Sequence, residues 1–269
     1  MSIVKKLSMA TAGAAFIALG AVTNPAIAQT VFEGRDNNVS FGSPLPNSNA
    51  AAAQFDNAAS ALGTVNVIDF ENLPLGNFSS LEVAPGTTLT LSNTPDPVRS
   101  IVDLGITNDT ENGFAGFNTT TEGANFLRFG TQPNVETIAT ATFSFAVPVQ
   151  TFGAYITALD RDPRNELSLS FTDGTSQLLG PIRGVDSVNP SGAQFFGFTT
   201  PGESISSVTI RERFLDSPDN FNYLVGIDDV RTVPIPEPDS ALGILAFGVG
   251  GSLLLLKRKL NGKGAAIRP

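Results

Sequence analysis

The stretch IATATFSF at residues 138–145 decides the fold. Ala139, Ala141, Phe143 and Phe145 fall on one side of it, and Thr140, Thr142 and Ser144 on the other. Successive side chains of an extended backbone point to opposite faces, so this alternation makes a strand with one apolar and one polar face. Working outward, Phe152, Ala154 and Ile156 alternate next. Leu167, Leu169 and Phe171 then alternate with serines ahead of the turn pair Asp173-Gly174. Residues 65–70, 87–91, 125–129, 194–198, 207–210 and 223–233 read as further strands, with Gly, Pro, Asn and Asp between them. Nine or ten short strands of this kind predict a mainly β fold, an antiparallel sandwich. The 20 phenylalanines can fill the space between two sheets without bringing in polar atoms.

One helix is predicted. Phe55, Ala58, Ala59 and Leu62 recur at helical spacing behind Ser48-Asn49, and Gly63 can end the helix. The spacing predicts a helix near 49–62 that lays Phe55 and Leu62 on the sheet. Residues 31–47, polar and broken by Gly34, Gly42, Pro44 and Pro46, read as an ordered loop or short strand.

Composition removes several chemistries. The chain of 269 residues has no Cys, His or Trp. Disulfides, a thiol nucleophile, a Ser-His-Asp triad and any Cys/His zinc site are thereby excluded. Lysine occurs only at 5, 6, 257, 259 and 263, so residues 29–233 carry nine arginines against 23 acidic side chains, a formal charge of −14. Such a surface repels nucleic acid, which requires clustered Lys and Arg.

The two ends are addresses. Lys5 and Lys6 precede an uncharged apolar stretch over 7–22, Pro25 breaks it, and Ala26-Ile27-Ala28 supplies a small-x-small cleavage pattern. That order is a secretory signal peptide over 1–28, with Gln29 as first mature residue. At the other end, Pro236-Glu237-Pro238 stands before an apolar run over 241–256, and Lys257-Arg258-Lys259 follows. Sixteen helical residues reach roughly 24 Å against a hydrocarbon core of about 30 Å, a span that snorkelling basic side chains and local thinning can complete. The basic cluster belongs on the cytoplasmic side. The expected division is therefore a signal peptide at 1–28, a β-sandwich at 29–233 and a sorting tail at 234–269.

This tail resembles the PEP-CTERM sorting signal of bacterial surface proteins, on the Pro236-Glu237-Pro238 box, the short apolar helix and Lys257, Arg258 and Lys259. The resemblance implies processing by signal peptidase and an exosortase-type enzyme. It implies transient anchoring in the inner membrane, then residence at the cell surface or outside, alongside exopolysaccharide export. The residues after the basic cluster, 260–269, exceed what such tails usually carry. Within the sandwich, Asp69-Phe70-Glu71, Phe152-Gly153-Ala154-Tyr155, Phe171-Thr172-Asp173-Gly174, Phe195-Phe196-Gly197 and Gly226-Ile227-Asp228-Asp229-Val230 look like stretches of the passengers that accompany these tails. So do Glu33-Gly34-Arg35-Asp36 and Pro44-Leu45-Pro46-Asn47. They imply a jelly-roll-like, galactose-binding or concanavalin-like sandwich.

Few residues offer site chemistry. Asp69 and Glu71 on an early strand, with Asp228 and Asp229 on the last, could meet around a structural Ca²⁺, which takes carboxylate and carbonyl oxygens. Strand alternation allows only one of Asp228 and Asp229 to reach such a site. No other cofactor is expected. Asp160-Arg161-Asp162-Pro163-Arg164-Asn165 could hydrogen-bond sugar hydroxyls, although Tyr155 and Tyr223 are the only tyrosines available for stacking. Glu71, Glu166 and Glu203 are the carboxylates a glycosidase would draw on, yet no spacing picks out a pair. The reading is a non-enzymatic exported protein. A calcium-stabilised carbohydrate-binding module is the alternative, and a glycoside hydrolase the further one.

Overall fold

The computed structural model describes residues 29–93, 105–109, 115–131, 137–159, 165–184, 191–214 and 223–235. The signal segment, the Pro-Glu-Pro box, the apolar run, the basic cluster and the loop 160–164 lie outside these residues. Among the described residues no helix is long and apolar enough to cross a membrane.

In chain order the elements are β1 (Thr30–Asn37), α1 (Pro46–Ser60), β2 (Asn66–Ile68), β3 (Gly76–Asn77), β4 (Ser80–Ala84), β5 (Thr87–Asn93) and β6 (Gly105–Thr107). They continue with β7 (Phe126–Thr131), β8 (Thr137–Thr157), β9 (Glu166–Phe171), β10 (Ser176–Pro181), β11 (Gly192–Thr199), β12 (Ile205–Phe214) and β13 (Tyr223–Pro234). Every strand pairing is antiparallel.

β8 is the spine. Its first half pairs with β5 (Leu89 opposite Phe143) and with β12 (Val208 opposite Phe143). Its second half pairs with β11 (Phe198 opposite Phe152) and with β13 (Ile227 opposite Ile156). The partners change around Pro148, which has no N–H to give a ladder, and Val149 stands opposite both Ile205 and Pro234. The alternating runs 138–145 and 152–156, read from sequence as two strands, are one strand turning a corner from sheet to sheet. Nothing between them but Pro148 interrupts extended backbone.

One sheet therefore runs β4-β5-β8-β12-β9-β10. The other runs β1-β11-β8-β13-β7-β6-β3, with β2 on a further length of β13. Ala139, Ala141, Phe143 and Phe145 face inward, as do Phe152, Ala154 and Ile156. Phe143 and Phe152 meet across the layer at 5.6 Å between ring centroids, and Phe152 stacks on Phe198 at 6.2 Å. Each fully buried phenylalanine contributes about 2–3 kcal/mol of apolar burial.

α1 covers the outer face of the second sheet, against β1 and β11. Phe55 is fully buried there, between Phe32 and Phe195, and Leu62 packs at the margin. The helix starts a turn earlier than Ser48-Asn49 suggested, at Pro46, whose fixed φ suits a first helical position. Leu45 gives no side-chain cap. Asp36, from β1, takes that role: its Oδ1 accepts from Asn47 N at 3.1 Å and its Oδ2 from Ser48 N at 2.8 Å. A carboxylate at the helix N-terminus satisfies otherwise orphaned donors and complements the dipole.

The described chain enters and leaves at the corner end of the sandwich. Thr30 pairs with Thr199, itself opposite Thr151. Ile235 N donates to Pro148 O at 2.8 Å.

Candidate functional site

The structure brings most of the acidic residues singled out in the sequence to one loop, 115–125. Glu71 follows β2 and holds the loop from one side. Its Oε1 accepts from Asn118 Nδ2 at 2.7 Å, and its carboxylate also accepts the backbone N–H groups of Ala124 and Asn125. Asn125 Nδ2 returns a bond to Glu71 O at 3.1 Å. Asp69 Oδ1 accepts from Glu71 N at 3.2 Å and so sets the turn that presents Glu71.

Asp228 holds the same loop from β13. It is fully buried, and its Oδ2 accepts from Thr119 N at 2.6 Å, Thr119 Oγ1 at 3.0 Å and Thr120 N at 3.1 Å. Its Oδ1 has no hydrogen-bond partner among the described residues. Burial, chiefly, and then the neighbouring Asp229 charge push the Asp228 carboxyl up to about 7, against the lowering effect of the Thr119 donors. Strict alternation would turn Asp229 to the opposite face. Instead Asp229 has φ 48° at a register shift between Asp228 and Arg231, so both carboxylates reach the Thr120 hydroxyl, at 3.3 Å and 2.8 Å. Thr119 and Thr120 were not singled out from sequence. Their only signal was a polar run, Asn118 to Thr121, inside a loop.

The structure ties Glu71, Asp228 and Asp229 to this loop, and among the described residues no group of three or more His, Cys, Asp or Glu side chains is placed to hold a metal ion. The oxygens of Glu71 and Oδ2 of Asp228 face N–H and O–H donors, where a cation needs free lone pairs. Their chemistry here is to pin a loop.

Beside this clamp, Arg231 bridges sheet and helix. Its Nε lies 3.3 Å from Asp56 Oδ1, its Nη1 donates to Asp229 O at 2.7 Å, and its guanidinium sits 5.3 Å from the Tyr155 ring centroid. Tyr155 is buried and donates its hydroxyl to Asn49 Oδ1 at 2.7 Å. Burial above all, with Asp229 and Asp56 adding to it and Arg231 opposing, pushes its hydroxyl up to about 12. Tyr155 is therefore a packing residue and offers no open ring face to a sugar.

The remaining carboxylates stand apart. Glu166 pairs with Arg211 at 2.8 Å at the start of β9. Glu203 lies in the β11–β12 turn, next to Ser204, which bonds the chain at the far end of β9. A six-residue strand separates them by roughly 17 Å, beyond the ~5–9.5 Å that a glycosidase pair needs. Glu71 is spent on the loop of the other sheet. An open cleft of about 190 Å³ lies where β3, β6 and β7 meet, lined by Leu75, Asn77, Thr107, Asn108 and Arg128 among others. Arg128 bonds Asp109 at 3.2 Å beside it. The cleft presents hydrogen-bonding groups but neither a nucleophile nor a paired acid and base.

No protein-family description matches the sequence, and no curated protein matches it. Solved structures match parts of the chain at low similarity. The K1 cleaved adhesin domain of Lys-gingipain from Porphyromonas gingivalis W83 is 11% identical, with TM-score 0.36 over 64% of this chain and 99% of that one. The family 11 carbohydrate-binding module of a cellulosomal cellulase from Clostridium thermocellum is 7% identical, with TM-score 0.29 over 64% of this chain and 95% of that one. The enzymatically active domain of bacteriophage CBA120 tailspike protein 4 is 15% identical, with TM-score 0.34 over 54% of this chain and only 19% of that one.

Proposed function

We propose that this chain is a non-enzymatic, exported β-sandwich, delivered by a signal peptide and a PEP-CTERM-type tail to the cell surface or the extracellular matrix. One observation carries the reading: the folded unit fits between its two addresses. Among the described residues the first to pair, Thr30, comes two residues after Ala28, and the last backbone group to bond, Ile235 N, directly precedes Pro236. Cleavage after Ala28 and near the Pro-Glu-Pro box would leave every described strand in place. Both cuts would also fall at the corner end, so the opposite end of the sandwich projects away from the membrane while the tail is still anchored.

Three of the carboxylates weighed from the sequence support the non-enzymatic part. Glu71, Asp228 and Glu166 are engaged with loop amides, threonine donors and an arginine, and no lysine lies between residues 29 and 233 to act as base. The test is the mass and location of the native protein. A mature chain starting at Gln29, shortened near Pro238 and found outside the inner membrane is the expected result. Unchanged mass and location after Glu237→Ala and after deletion of residues 241–256 would remove the sorting reading.

A further inference from the structure

A cut after Ala28, the reading on which this step rests, makes Gln29 the mature N-terminus. Its carboxamide is already engaged on one side only. Gln177, on the edge strand β10 of the other sheet, donates from Nε2 to Gln29 Oε1 at 3.2 Å. Gln29 Nε2 makes no hydrogen bond to any described residue. A donor on the carbonyl oxygen draws electron density from Cδ and steadies the negative charge that develops on Oε1 during attack at that carbon. Cleavage itself supplies the nucleophile: the new α-amine, largely neutral above about pH 8. Amine and carboxamide belong to one residue, so their encounter is intramolecular and closes a five-membered ring.

We propose that the mature N-terminus closes to pyroglutamate, with Gln177 as a positioning residue that polarises the Gln29 carbonyl. The α-nitrogen–Cδ bond forms and the Cδ–Nε2 bond breaks. A proton passes from the amine to Nε2, and ammonia leaves. Nothing is oxidised or reduced, and no co-reactant enters. The lactam removes the N-terminal positive charge and the primary amine that aminopeptidases require. It leaves β1 intact, because pairing with β11 begins at Thr30. A protein working outside the cell would thereby meet exopeptidases with a blocked end.

The test uses the full chain with a specific-protease site replacing residues 26–28, so that Gln29 is released on demand at pH 8 and followed by intact mass. The folded wild type is expected to lose one ammonia. Gln177→Leu should slow that loss about two- to tenfold, the worth of one hydrogen bond to a developing charge. Gln177→Arg, which restores a donor on an exposed strand position, should recover the rate. In urea, wild type and Gln177→Leu should cyclise at one common rate. Equal rates for the folded wild type and Gln177→Leu would overturn the role of Gln177. Native exported protein that begins at Gln29 with an open, free amine would overturn the modification while leaving the cleavage reading intact. A native chain that begins at another residue would overturn both.

Discussion

Asp228 shows how much one buried carboxyl can set. Its folded pKa, about 7, lies above the ordinary carboxylate value of 3.8. Between those values the folded chain binds more protons than the unfolded one, so stability falls as pH rises through the window. Thermal unfolding should accordingly give a higher Tm near pH 5 than near pH 8, by an amount on the order of 3 kcal/mol in this group's contribution. Asp228→Asn keeps an oxygen for Thr119 and Thr120 and removes the charge beside Asp229, so the variant should lose most of that slope. An Asn variant with the wild-type slope would assign the pH dependence elsewhere. Glu71 holds the same loop from the β2 side. Glu71→Ala leaves the N–H groups of Ala124 and Asn125 unpaired and should cost roughly 2–4 kcal/mol. Amide exchange should rise most sharply within residues 118–125, and a uniform rise across all strands would contradict a local clamp. The sequence pointed to Asp69, Glu71, Asp228 and Asp229 as a group, because acidic residues on first and last strands are visible in a linear string. It did not show what they hold. Thr119 and Asp228 are joined only by a fold that closes 109 residues, and the bulge at Asp229 breaks the two-residue period on which alternation rests.

Elements were legible where apolar residues recur and obscure where the chain relies on tertiary pairing. β8, β9, β11 and the first half of β13 carry their inward faces in plain alternation. β10 carries Leu178 in the open, more than half exposed, and β6 is three residues long, so neither leaves a periodic trace. The helix was visible from Phe55 and Ala59, but its start was not, because Asp36, which caps it, belongs to β1. Asp36→Ala should therefore lower stability by about 1–2 kcal/mol, as loss of a native helix cap does. The seat of α1 on the sheet depends on two glycines directly opposite each other, Gly153 on β8 and Gly197 on β11. A Cβ at Gly197 would stand 2.8 Å from Phe55 Cδ2, and one at Gly153 would stand 2.7 Å from Phe195 Cζ. The sheet leaves this flat patch bare so that two rings can lie on it. Gly197→Ala should cost about 1–3 kcal/mol in chemical unfolding. Phe55→Ala should cost about 3–5 kcal/mol. The double variant should be less destabilised than the sum, since the added methyl then meets a cavity. Strict additivity would mean that the ring and the methyl do not compete for the same space.

At the scale of the whole molecule, the corner in β8 decides where the chain starts and stops. One long strand serves both sheets and changes partners at its bend, around Pro148. β1 begins and β13 finishes beside that bend, through Thr30 opposite Thr199 and Ile235 on Pro148. Among the described residues, backbone pairing runs from Thr30 to Pro234 and closes with the bond from Ile235 to Pro148. Apolar packing between the sheets is likewise internal, built from side chains such as Leu89, Phe143, Phe152, Phe198, Val208 and Ile227. A chain limited to residues 29–235 should therefore fold as the full sandwich, with one cooperative transition and a Tm within about 4 °C of that of the longer protein, the shift expected for less than ~1 kcal/mol. Truncation by four more residues, to 231, should behave differently. It removes Thr232 and Val233, opposite Phe152 and Thr151, strips the Val233 side chain from the layer under α1, and cuts the bond from Ile235 to the bend. Losing one buried valine and several ladder bonds should cost roughly 3–5 kcal/mol. Calorimetry on the two truncated chains separates the possibilities. If the chain ending at 235 is as unstable as the one ending at 231, the tail is part of the fold rather than an address attached to it.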